Sequence, residues 1–257
     1  MGSRGLSSQK SGGAPSEWKL NKKNAADYHI DLKQRHTEKV PKESYDSGIS
    51  HLNNVLETIN ILNDMLGLEP EYAPNILFQY GAYSLDAYGD AQANFWNSDE
   101  YVVIDKKTGE IIKEYDARIR IYINAMNESH DTGAHEYVHA LEAYWVVNNY
   151  SVGMDRVNAW KIGDWQGSIY SVAIVKNALV NLGLMKGTED VSESVWRKAA
   201  GTVYRFPGDT YPTSNTSETL TTSVQMVMRY GDKASPFAKE VVKSLRKAAR
   251  EQIGRAH

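Results

Sequence analysis

The chain has 257 residues, enough for one large domain or two small ones with an ample core either way. Its net charge of −3 and pI near 6.2 give no global signal for nucleic acid. It contains no cysteine, which excludes disulfides and thiolate metal sites, so any metal must rest on histidine and carboxylate ligands.

Residues 1–27 are rich in Gly, Ser, Lys and Asn and read as a flexible leader or linker, with residues 28–257 as a single domain. The leader has no apolar signal core, and no run of 18 apolar residues occurs anywhere, so no membrane partner is expected. Such a chain is expected in the cytoplasm, on a virion, or exported as part of a larger protein. Residues 28–46 stay polar, with weak apolar signal.

A helix is predicted from Ser47 to Leu66, where Ile49, Leu52, Val55, Leu56, Ile59, Leu62 and Leu66 recur at helical spacing and Gly67 ends the run. Ile76 to Tyr80 reads as a strand, and residues 82–98 carry no clear pattern. Tyr101 to Ile104, a turn at 105–109 and Glu110 to Tyr115 form a hairpin pattern. Arg118 to Asn124 alternates, which turns Ile119, Ile121 and Ile123 to the core. Asp131 or Thr132 is the expected cap of the next helix.

After that helix the chain is mainly helical. Residues 151–166 read as a loop and Gly167 to Leu182 as a helix with Ile169, Val172, Ala173, Leu179 and Leu182 inward. A shorter helix follows over Val191 to Ala200, then an irregular loop over 201–214. Thr216 to Tyr230 is a helix capped by Asn215, and the last helix opens at Ser235-Pro236. Its basic end, Lys243, Arg246, Lys247 and Arg250, reads as a solvated face that pairs with the helix dipole. The expected fold class is α+β: a small, mostly antiparallel sheet, then a motif helix, then a mainly helical half.

The motif helix carries the chemistry. His135-Glu136-Tyr137-Val138-His139 reads H-E-x-x-H. Histidines at i and i+4 leave one face of a helix and can grip one zinc ion, while Glu136 beside them can act as general base. The flanking residues Tyr137, Val138, Ala140, Leu141, Ala143, Tyr144, Trp145, Val146 and Val147 are apolar almost all round, so the helix is predicted to be buried. Buried imidazoles need partners; a metal is one solution and ordinary hydrogen bonds in a core are another.

A zinc site needs at least a third ligand. Glu142 lies on roughly the same face but suits support of a histidine from behind; His130 and His51 have no supporting context. Glu218 is the better candidate, a carboxylate opening a helix whose Leu220, Val224, Val227 and Met228 are apolar. Equally, a first-turn glutamate is favoured by the helix dipole alone. Tyr211, shortly before it, could fold over the same metal and donate a hydrogen bond to an oxyanion.

Tyr211-x-x-x-Asn215-x-x-Glu218 following H-E-x-x-H resembles the zincin metallopeptidases of the anthrax lethal-factor type. It is also similar to the zincin-like domains of phage minor head proteins of the Mu gpF-like kind and of related toxins. The strand Ile119 to Asn124 and the segment Tyr230 to Pro236 are similar to the phage-type domains. The resemblance covers about residues 47–250 and implies a zincin-like fold. It implies zinc on His135, His139 and Glu218, Glu136 as general base and Tyr211 as transition-state stabiliser. It also implies a protein or peptide substrate, with a phage head or toxin partner possible for such a domain, and an extended substrate paired with the strand near 117–124. The chain departs from the family in carrying Thr222 where a second acid is common, and in a long gap between His139 and Glu218. Three readings follow: a zinc endopeptidase, a structural or binding module with little or no catalysis, and a metal-free scaffold.

Overall fold

The computed structural model describes residues 30–34, 42–69, 73–74, 76–81, 89–92, 100–104, 107–108, 111–116, 120–124, 132–150, 154–160, 165–188, 192–204 and 207–255. The leader expected over 1–27 and the cap at Asp131 lie outside them. In chain order the elements are β1 (Ile30–Gln34), α1 (Lys42–Leu66), β2 (Ile76–Gly81), β3 (Gly89–Gln92), β4 (Glu100–Ile104), β5 (Ile111–Asp116) and β6 (Arg120–Asn124). The helices α2 (Thr132–Asn149), α3 (Met154–Trp160), α4 (Ile169–Asn181), α5 (Glu193–Ala200), α6 (Thr216–Tyr230) and α7 (Pro236–Arg255) follow, with a 3₁₀ turn at Tyr211–Thr213.

Helix dominates the described residues, and the expected small, mostly antiparallel sheet is corrected. The strand order is β1-β2-β6-β3, with β1, β2 and β6 parallel and only β3 antiparallel. The physical reason is connection length. Parallel neighbours need a long crossover, and the 25-residue α1 supplies it between β1 and β2. The hairpin read from the turn at 105–109 does form, antiparallel, but β4 and β5 make a separate two-stranded ladder. Since β6 lies between β2 and β3, it has no free edge for a substrate strand; among the described residues the edges are β1 and β3.

The inner face of α1 is Leu52, Val55, Leu56, Ile59, Leu62 and Leu66, all fully buried, as the periodicity predicts. Gly67 closes it at φ +71, and Leu68 N–H returns to Asn63 O at 2.9 Å. The motif helix α2 is buried nearly all round, packed on α1, α4, α6, β3 and β6. The expected 151–166 loop contains α3, a two-turn helix too short to show periodicity. In α4 the buried side is Val172, Ile174, Val175, Ala178 and Leu179; Ala173 is exposed, so the inward face is rotated from the one expected. The inward turn of Ile119, Ile121 and Ile123 lies outside the described side chains. No described helix is long and apolar enough to cross a membrane.

Where α2 starts, it nearly touches α1. A Cβ on Gly133 would sit 2.6 Å from Val55 Cγ1 and 3.2 Å from Val55 Cα. Gly133→Ala is therefore expected to lower stability by about 1–3 kcal/mol despite alanine's better helix propensity, measured as a lower midpoint in urea.

Candidate metal centre

Two helices bring the site together. His135 and His139 project from one face of α2, and Glu218 comes from the first turn of α6. Asn215 starts α6: its side chain accepts from Glu218 N–H at 2.8 Å, as a cap should. The helix start is pinned from outside as well. Thr216 donates both its N–H and its hydroxyl to Gln166 O, each at 2.9 Å. This close approach requires Gly167, at φ +140, where a Cβ would fall 2.2 Å from Thr216 Oγ1.

The three side chains converge. Glu218 Oε2 lies 3.2 Å from His135 Nε2 and Oε1 lies 3.4 Å from His139 Nε2, while the two Nε2 atoms are 3.2 Å apart. For a tetrahedral ion with bonds of about 2.0–2.1 Å, neighbouring ligand atoms stand about 3.3 Å apart. The Nε2–Nε2 separation matches such an edge, while Glu218 meets the two rings with different oxygens; taking one ligand atom from each residue, His135, His139 and Glu218 lie within 4.8 Å of one another and form a group that could hold a metal ion.

The electrostatics of the three residues suit a cation. Burial pulls the His135 imidazole below its ordinary value, against the opposing pull of Glu218. Burial also acts to lower His139, but the Glu218 hydrogen bond and the charges of Glu218, Glu136 and Glu142 outweigh it and hold His139 above its ordinary value. Burial pushes the Glu218 carboxyl up, yet hydrogen bonds from His135 and His139 win and hold it at about 2. Glu218 is thus anionic at any working pH.

Glu136 is buried on α2, close enough for its charge to act on His139. Tyr211 stands beside the site with its ring 5.8 Å from that of His135, tilted by 36°, and the residue is 44% exposed. Among the alternative ligands, Glu142 sits behind the site. Its Oε2 is 4.0 Å from His139 Nδ1, and its oxygens accept from the hydroxyls of Ser168 and Ser217 and from Ser168 N–H at 3.3 Å. His51 is buried on α1 and is not part of the group; His130 lies outside the described residues.

Gln225 was not legible as a site residue. Its Oε1 lies 3.2 Å from His135 Nδ1, where it can accept the ring N–H and leave Nε2 free for a metal. Two turns beyond Glu218 on the same helix, a buried glutamine among apolar neighbours is the signal that could have found it. Thr222, where the resembled family often has an acid, is fully buried and its hydroxyl has no hydrogen-bond partner among the described residues. Orientation of His135 falls to Gln225 instead. Gln225→Ala is expected to weaken metal binding about 10–100-fold, read by competition with a chromogenic chelator.

In comparisons with known proteins, the chain matches no family model, no curated protein and no solved structure. The functional reading therefore rests on the residues and their geometry.

Proposed function

We propose that the chain is a zinc-dependent endopeptidase. The observation that carries this reading is the convergence of His135, His139 and Glu218 at metal-ligand spacing, with Glu136 adjacent in the same motif. Two imidazoles and one carboxylate, with no sulfur, make the donor set of a catalytic zinc site rather than a closed structural one. Bound zinc supplies Lewis acidity and brings water toward ionisation near neutral pH.

The chain's own residues supply the rest. Glu136 accepts a proton at its carboxylate as water adds to the scissile carbonyl, and returns it to the leaving amine. Tyr211 donates its phenolic hydrogen to the oxyanion that develops there. Gln225 sits behind His135 within hydrogen-bond reach and orients its ring, while the Glu142 carboxylate lies 4.0 Å from His139 Nδ1 and adds negative charge there. An extended peptide would add to the sheet at the edge strand β3, which packs against α2.

The test is elemental analysis together with hydrolysis of denatured casein by the untagged protein. The expected result is one zinc per chain, hydrolysis lost on chelation and restored by zinc. Protein that takes up no zinc when it is supplied would overturn the reading.

A further inference from the structure

The long segment between His139 and Glu218 contains α5, which packs beside the turn that carries Tyr211. Trp196, fully buried, donates its indole N–H to Thr219 Oγ1 at 3.0 Å. Thr219 Oγ1 in turn donates to Pro212 O at 2.5 Å. Next to it, Arg197 donates to Thr213 O. The guanidinium is oriented by Glu193, with Nε 2.6 Å from Oε1, and lies 4.8 Å above the Trp196 ring. The indole also stacks on Trp165 at 5.4 Å, 20° from parallel. Two successive carbonyls of the Tyr211–Thr213 turn are thus tethered, one through buried Thr219 of α6 and one through surface Arg197.

We propose that Trp196, Arg197 and Thr219 are positioning residues that hold the Tyr211 turn so that its phenol faces the metal centre. Tyr211 is itself 44% exposed, and the two carbonyls that follow it in the turn are the atoms these side chains hold. The inserted helix is in this account a bracket for the turn. Its consequence for catalysis rests on the peptidase reading; the tether itself does not.

The test exploits the Tyr211 ring, which lies 5.8 Å from the His135 ring and shifts its imidazole proton resonances by ring current. The protein has 7 histidines, so the His135 resonance is assigned with His135→Gln. Tyr211→Ala defines the shift when the ring is absent. Thr219→Val, close in shape, and Arg197→Ala, at the surface where folding is not at stake, are each expected to move the His135 resonance toward that value. Hydrogen exchange over residues 210–214 is expected to rise by about tenfold or more while that of α2 does not change. An unmoved resonance with unchanged exchange in Arg197→Ala and Thr219→Val overturns the tether. If the zinc-loaded protein cleaves casein, both variants lower kcat more than they raise KM. If the unaltered protein cleaves nothing yet the resonance moves as expected, the tether stands and the peptidase reading falls.

Discussion

Glu136→Gln is expected to reduce casein hydrolysis by about 10²–10⁴-fold while zinc content stays at one per chain. The substitution keeps the shape of the side chain and removes its ability to take a proton. Glu136 is buried on α2 and is not one of the three converging residues, so its loss leaves the donor set intact. The Glu136 charge is among the causes that raise His139, so in the variant His139 releases its proton at lower pH. A variant that loses activity and zinc together would place Glu136 among the ligands instead. Activity retained within tenfold would remove it from the chemistry.

The parts of this site that could be read from the chain are those fixed by local geometry. A helix sets the i, i+4 spacing of His135 and His139 whatever surrounds it. Asn215 announces the start of α6 by its capping preference, and Glu218 follows in the first turn. The apolar period of α1 likewise needs nothing beyond its own residues. The strands were harder. β1 lies in a polar stretch, and β3, Gly89-Asp90-Ala91-Gln92, has no alternating apolar pattern; both are defined by backbone pairing with a neighbour. The parallel arrangement depended on which strands meet, and a local turn reveals only its own hairpin. Supporting groups such as Gln225, Ser168, Ser217 and Trp196 become visible only when α2, α4, α5 and α6 are packed. Their polar atoms serve partners far away in the chain and, apart from Gln225, two turns after Glu218 on one helix, no spacing encodes them.

Glu218→Ala should be the most damaging single change at the centre, lowering zinc affinity at pH 8 by more than the roughly 10–100-fold typical of a supporting residue. It removes one of the three candidate donor groups, the carboxylate that lies against both imidazoles. The pH dependence separates this from simple unfolding. In the unaltered protein His139 is held above its ordinary value and His135 below it, while Glu218 at about 2 is already ionised. As pH falls through the His139 value, zinc must displace one proton, so affinity is expected to drop about tenfold per pH unit with one proton released per ion. In Glu218→Ala the main cause of the raised His139 value is gone, and the onset of that slope moves to lower pH even though the plateau affinity is weaker. The metal-free protein has its own linkage. The depressed Glu218 contributes stability present above its unfolded value near 4.5, lost as pH falls toward about 2. The raised His139 contributes stability present below its unfolded value of 6.5, lost as pH rises through its folded value. Glu218→Ala removes both contributions, so chelated wild-type and variant proteins should differ most between those limits and converge at strong acid. Zinc titrations by calorimetry in buffers of different ionisation enthalpy, from pH 5 to 8, give the proton count directly. Zinc binding with no proton release across that range would mean that His139 is not a ligand, and the three-residue centre would have to be abandoned.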